Sequence, residues 1–96
     1  KFSLDDINCV KERIGGAPVY LTIDLDVLDP AYFPGTGTPE AGGVDFCALI
    51  SALDAVCSLN VIGADMTELA PVYDLSGAST ALACKLMREL LLRLVK

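Results

Sequence analysis

The chain has 96 residues, 53% of them hydrophobic, with a formal net charge of −6 and no histidine. That length allows one small domain with a thin stability margin, and no apolar run reaches the roughly 18 residues of a membrane span. The negative charge works against phosphate backbones and anionic membranes, so neither nucleic acid nor a membrane is an expected partner. It fits a cationic substrate or metal ions, and it fits ordinary solubility as the plainer reading. The missing histidine excludes a site built wholly within this chain on His ligands or a His general base.

In chain order, Ser3 followed by Leu4, Asp5 and Asp6 predicts a capped helix start. Leu4, Ile7, Val10 and Ile14 form its apolar stripe, Lys11 and Arg13 suit its negative end, and Gly15-Gly16 stop it. Val19–Leu25 is a near-continuous apolar run, as expected of a parallel strand covered on both faces. The segment Asp26–Gly43 holds three prolines and four glycines and has no periodicity. It is long for a connection, which predicts a functional or tightly packed loop. Asp45 caps a second helix over Phe46–Ser58, with Phe46, Leu49, Ile50, Leu53, Val56 and Cys57 in one stripe. Asn60–Leu69 reads as a second strand, which Pro71 ends. Ser76 or Ser79 starts a last helix that runs to about Val95 and is apolar on more than one face.

Helix, strand, helix, strand, helix is a β-α-β unit with flanking helices, the mark of an α/β parallel sheet. Two strands are too few for a stable open sheet. The high apolar share predicts faces covered by something outside this chain. The pattern is that of the last third of a larger doubly wound domain, with residues 1–96 as a single segment. Cys9, Cys47, Cys57 and Cys84 show no C-x-x-C spacing and sit among apolar residues, so a core role is expected of them.

In such sheets functional groups gather at the carboxyl ends of the strands. Asp24 and Asp26 lie at the end of the first strand and, by strand alternation, share a face. Like charges side by side lose hydration and repel, and a cation relieves both costs. Glu68 ends the second strand. If the strands are parallel, all three acids open on one edge as a cation-binding constellation. D-x-D alone is a weak signal, since it also occurs as capping or solvated acids at strand ends. Asp29, before Pro30, reads as a turn-former. Asp65 falls on the opposite face from Glu68 and suits a structural hydrogen bond. Thr36 and Thr38 suit loop-fixing bonds to backbone more than substrate contact.

Thr22-Ile23-Asp24-Leu25-Asp26-Val27-Leu28-Asp29-Pro30 resembles the S-x-D-x-D-x-x-D-P signature of the ureohydrolases, the arginase and agmatinase family. Thr22 replaces the commoner Ser and keeps the hydroxyl. Pro34-Gly35-Thr36-Gly37-Thr38-Pro39 is similar to the family's P-G-T-G-T-P loop, and Val61–Tyr73 to its final strand, which ends in E-x-x-P. The resemblance covers roughly Val19 to the C-terminus. It implies the C-terminal part of a three-layer α/β/α arginase-like fold and a binuclear Mn²⁺ hydrolase of guanidino compounds. On it, Asp24 corresponds to the carboxylate bridging both metals and Asp26 to a ligand of one. Glu68 corresponds to the acid that pairs with the substrate guanidinium, and Thr36, Gly37 and Thr38 to a substrate loop. Tyr73-Asp74 resembles the Y-D of agmatinase-like members, which points to agmatine as substrate. Arginase, guanidinobutyrase and formiminoglutamase are the alternatives within the family.

The family's site also needs histidine ligands and an upstream D-x-H-x-D segment, which this sequence lacks. There is no initiator Met and no leader resembling a signal peptide. The expectation is therefore a fragment of a cytoplasmic, homo-oligomeric enzyme, inactive by itself. A non-catalytic module that self-associates through uncovered apolar surface is the alternative of another class. Magnesium-dependent transfer through D-x-D has little support, because no phosphate-cradling Gly loop precedes a helix.

Overall fold

The computed structural model describes residues 2–95. Helix α1 spans Leu4–Ile14, and its ends follow from the residues at them. Ser3 Oγ accepts the Asp6 N–H at 3.2 Å, and Gly15, at φ 58°, donates its N–H to the Lys11 carbonyl. The apolar stripe is only half used. Ile7 and Ile14 are half-buried, but Leu4 and Val10 are exposed, because α1 packs chiefly along one side of α2.

Strand β1 (Val19–Asp24) pairs in parallel with β2 (Val61–Thr67), and Asp24 stands opposite Thr67. Val19 pairs with Val61 but Tyr20 with Gly63, so Ile62 bulges out at the start of the ladder. Both strands are shorter than their apolar runs. Leu25 is fully buried yet belongs to a 3-10 turn over Leu25–Val27, and Leu69 lies past the end of β2. Apolarity continues there because the chain turns into the core, not because the ladder continues.

Helix α2 (Phe46–Val56) starts where Asp45 Oδ1 accepts the Ala48 N–H at 2.7 Å. It ends earlier than its stripe predicts, with Cys57 as its C-cap. Helix α3 spans Ala78–Leu94. Leu49 and Leu53 of α2 and Ala83, Leu86 and Leu90 of α3 form one core with Ile23, Leu25, Leu28, Phe33 and Val44. Arg93 ties the two helices together, with Nε 2.6 Å from Asp54 Oδ1 and Nη1 2.7 Å from Glu89 Oε2.

The covered sheet face carries Leu21, Ile23, Ala64 and Met66. On the other face Tyr20, Thr22, Asp24 and Thr67 are exposed, and no helix covers them among the described residues. The strands are therefore covered on one side within this chain, where their composition predicts two. The molecule measures 42 × 26 × 19 Å, a slab thin enough for one sheet and one helical layer. It supplies two layers of the α/β/α sandwich expected from the sequence. Of the cysteines only Cys57 is buried. Cys9, Cys47 and Cys84 lie on outward faces of their helices, so the expected core role fails for them.

The 29–44 loop is packed around Asp29. Its Oδ1 accepts the Ala31 N–H at 2.9 Å and its Oδ2 the Gly42 N–H at 3.0 Å, and these backbone bonds lower its pKa. Its own N–H reaches the Val44 carbonyl at 2.9 Å, while the Val44 N–H reaches the Val27 carbonyl at 3.0 Å. Gly43 lies inside this closure. A Cβ there would stand 2.5 Å from Asp29 N and 2.6 Å from Val27 O. These are backbone atoms of a paired segment and have no room to retreat. Gly43→Ala is therefore expected to destabilise the chain by about 2 kcal/mol, read as a lower urea midpoint.

Helix α3 gets its N-terminal partners from outside the helix. The N-cap position is Gly77 at φ 81°, which has no side chain to offer. Asp74 takes over this role: Oδ2 accepts the Ser79 N–H at 2.8 Å and the Ser79 hydroxyl. Oδ1 accepts the Ser76 N–H at 3.1 Å and the Ser76 hydroxyl. The Ser76 hydroxyl first, then Ser79, hold the Asp74 carboxyl down at about 2, against 3.8 ordinarily. A carboxyl whose folded pKa is depressed contributes stability that is full above its unfolded value. That stability disappears as pH falls from 3.8 towards about 2. Thermal melts across this window should show the wild type losing more stability than Asp74→Asn, which has no proton to take up there.

Candidate active-site edge

Parallel pairing carries both strands to one edge, and the candidate residues collect there. Asp24 is the last residue of β1, and Glu68 follows Thr67, the last residue of β2. Since Asp24 faces Thr67 across the ladder, Glu68 is one step beyond it. The Asp24 carboxyl has a raised pKa, through lost hydration first and then through the neighbouring Asp26 carboxyl and the charge of Glu68; the Asp26 N–H opposes the shift. Asp24 thus feels both of the other acids across the edge.

Asp26 does not share a strand face with Asp24, as alternation predicts, because it is not in the strand. It lies in the 3-10 turn, and Asp24 Oδ1 caps that turn by accepting the Asp26 N–H at 3.1 Å. The turn, rather than the pleat, brings the two carboxylates together. Asp26 Oδ2 accepts a hydrogen bond from Thr38 Oγ1 at 3.2 Å, which ties the Gly/Pro loop to the acid edge.

Among the described residues no group of three or more acidic or cysteine side chains converges closely enough to hold a metal ion. Asp24, Asp26 and Glu68 therefore do not make the three-acid cation cluster expected from the sequence. Asp24 and Asp26 offer carboxylate oxygens, the donor type that suits a hard divalent cation. They form only part of a shell, since such ions take about six ligands.

Glu68 has a feature that its sequence position does not announce: φ is +80°, and it is the one non-glycine residue with positive φ among those described. Such backbone costs about 1 kcal/mol or more and persists where surrounding contacts impose it, often at functional sites.

Of the substrate-loop residues, Thr36 is 2% exposed and its Oγ1 is buried without a hydrogen-bond partner among the described residues. Gly37 and Thr38 face solvent. Thr38 bonds a side chain, Asp26, where a loop-fixing bond to backbone is expected. Asp65 does have the structural bond expected of it: Tyr20 donates its hydroxyl to Asp65 Oδ2 at 3.1 Å, which raises the phenol pKa.

Two residues with larger roles than the sequence suggests are Asp74 and Ser79. Ser79 is fully buried, and its Oγ accepts the Gly35 N–H at 2.9 Å. The Gly35 carbonyl accepts the Ala70 N–H at 2.7 Å. The available signal was the polar run Asp74-x-Ser76-x-x-Ser79 before an apolar helix, a capping pattern with its acid outside the usual position.

Comparison with known proteins bears on the family and the fold. The sequence pattern of the Arginase family matches residues 4–93. The chain is 48% identical over 95 residues to the agmatinase of Bacillus cereus, covering 97% of this chain and 33% of that protein. It is 45% identical over 87 residues to the mitochondrial guanidino acid hydrolase of Homo sapiens, covering 91% and 25%. The solved structure of proclavaminate amidino hydrolase from Streptomyces clavuligerus superposes with a TM-score of 0.85 at 38% identity, covering 93% and 30%. The chain thus spans a quarter to a third of the length of these relatives. With the family pattern running through nearly every element described above, the chain belongs to the arginase family.

Proposed function

We propose that this chain is the guanidinium-binding and part of the metal-binding portion of a ureohydrolase, with agmatine as substrate and putrescine and urea as products. The reading is carried by one observation: Asp24 ends one strand of a parallel pair, Glu68 directly follows the other, and Asp26 lies in the turn that Asp24 caps, so the three acids share one edge. The names of the relatives agree with it, since agmatinase, guanidino acid hydrolase and amidino hydrolase all act on guanidino or amidino groups. Tyr73-Asp74, the pair that resembles agmatinase-like members, favours agmatine over arginine.

In this reading Glu68 accepts paired hydrogen bonds from the planar guanidinium and orients its carbon. Asp24 and Asp26 hold divalent cations, with Mn²⁺ as the proposed ion. When bound, a pair of such ions makes hydroxide available near neutral pH. Water adds across the C–N bond: its oxygen ends on the guanidino carbon in urea, and the amine departs with a proton. The chain has no histidine to complete the ligand set or move that proton, so we propose that it is inactive alone. No helix of the described residues is long and apolar enough to cross a membrane. A cytoplasmic homo-oligomer is the proposed setting, supported by exposed apolar side chains such as Leu75 and Leu92.

Titration of the purified chain with Mn²⁺ tests the reading. The wild type is expected to bind weakly, and Asp24→Asn to bind at least about tenfold more weakly. Equal affinity in both would overturn the metal assignment, and Mn²⁺-dependent urea release from the 96-residue chain would overturn its inactivity.

The backbone at Glu68 gives a further expectation. Glycine tolerates φ +80° where glutamate is strained. Glu68→Gly should raise stability by about 0.5–1 kcal/mol in urea unfolding, while Glu68→Ala should not, and both should lose agmatine binding.

A further inference from the structure

Glu68 and Asp26 belong to different segments, yet one buried peptide bonds to the segment after Glu68 and lies in the same loop as the Thr38 that bonds Asp26. Gly35 donates its N–H to Ser79 Oγ at 2.9 Å and accepts the Ala70 N–H at 2.7 Å. Ala70 is two residues after Glu68, and Thr38, three residues after Gly35, donates to Asp26 Oδ2. The fit at Gly35 is tight, since a Cβ there would stand 2.7 Å from Ser79 Cβ and 3.2 Å from Asp74 Cβ.

The hydrogen-bond sense at Ser79 depends on Asp74. A serine hydroxyl has one proton and can be donor or acceptor. Here the Ser79 hydroxyl donates to Oδ2 of the ionised Asp74, so the Ser79 lone pairs are left for the Gly35 N–H. An ionised acceptor strengthens the bond, and burial of Ser79 makes the geometry costly to leave. Asp74 also receives the Ser76 N–H, the Ser76 hydroxyl and the Ser79 N–H, so its carboxylate is anchored on both oxygens.

We propose that Asp74 and Ser79 are positioning residues. Together they fix the Gly35 peptide, and through it hold the Glu68 segment and the Thr38–Asp26 contact in one arrangement. This rests on the assignment of Glu68 and Asp26 given above, but the mechanical claim can be tested apart from it. Neither Asp74 nor Ser79 touches substrate or metal in this scheme. Their part is to set the distance between the guanidinium-binding acid and the metal-side acid.

The test uses the 96-residue chain and its Ser79→Ala, Asp74→Asn and Arg93→Ala variants. Arg93 clamps α3 to α2 away from the node and controls for a general loss of stability. Two signals are read: amide exchange at Gly35 and Ala70, and the side-chain carboxyl carbon resonances of Asp26 and Glu68. In Ser79→Ala, exchange at both amides should accelerate about tenfold more than in the β1–β2 ladder, and both carboxyl resonances should move. Asp74→Asn should produce the same pattern more weakly, because a neutral amide oxygen still accepts. Arg93→Ala should move neither resonance. Unmoved carboxyl resonances in Ser79→Ala, or the same movement in Arg93→Ala, would overturn the proposal. Mn²⁺ added to the wild type separates the underlying assignment. If Asp24 and Asp26 fail to broaden while the node variants behave as expected, the metal reading falls and the positioning role stands.

Discussion

Asp24 lies opposite Thr67 in a parallel ladder, and this register decides where the chemistry of the chain can be. Parallel strands send both carboxyl ends to one edge, so acids that follow the two runs arrive together although Asp24 and Glu68 are 44 positions apart in the sequence. Helix α2 is the crossover that makes this pairing possible, and its core with α3 holds the strands in place. A slip along the ladder would separate the acids and break the alternation of Leu21, Ile23, Ala64 and Met66 towards the helices.

Beyond the strand ends, order comes from a few side chains that act on backbone. Asp29 closes one end of the 29–44 loop by accepting two backbone N–H groups, and Gly43 lets the two ends touch. Asp74 does the same for the turn before α3. These bonds explain how a segment without periodicity is packed rather than loose. Their energy comes from charge-assisted contacts with donors that would otherwise lack a partner. Acids near the site therefore divide into two kinds. Asp29 and Asp74 accept donors on both carboxylate oxygens and have lowered pKa values. Asp24 has fewer donors, feels its acidic neighbours and titrates higher. The first kind builds, and the second is left with unmet charge.

The sequence was a good guide wherever the determinant was local. The Ser3 and Asp45 caps, the Gly15 stop and the α2 stripe all depend on residues within one or two turns of each other. The parallel strands and the edge location of the acids were also legible, because apolar runs bounded by loops leave few topologies open. The rest needed tertiary information. Leu25 extends the apolar run of β1 but enters the core through a 3-10 turn, so the run is longer than the strand and Asp26 lies off the pleat. Glu68 looks like an ordinary strand-end acid until its φ is known. Thr38 bonds across to Asp26 at a separation no spacing rule covers. Leu4, Val10, Cys47 and Cys84 are exposed because their helix faces are left largely uncovered by the described residues, and composition alone reads them as core.

Among the described residues the sheet has two strands, so neither is interior. Each strand shows a row of outward N–H and C=O groups along its free side, which is a template for pairing with any extended segment nearby. The Ile62 bulge disturbs that template at one end alone, and Asp24 and Asp65 are the acids within the strands. Mutual repulsion from the net charge of −6 is the main brake on such pairing. Salt weakens that brake, so solutions of this polypeptide should be clearest at low ionic strength and cloud first near its isoelectric pH.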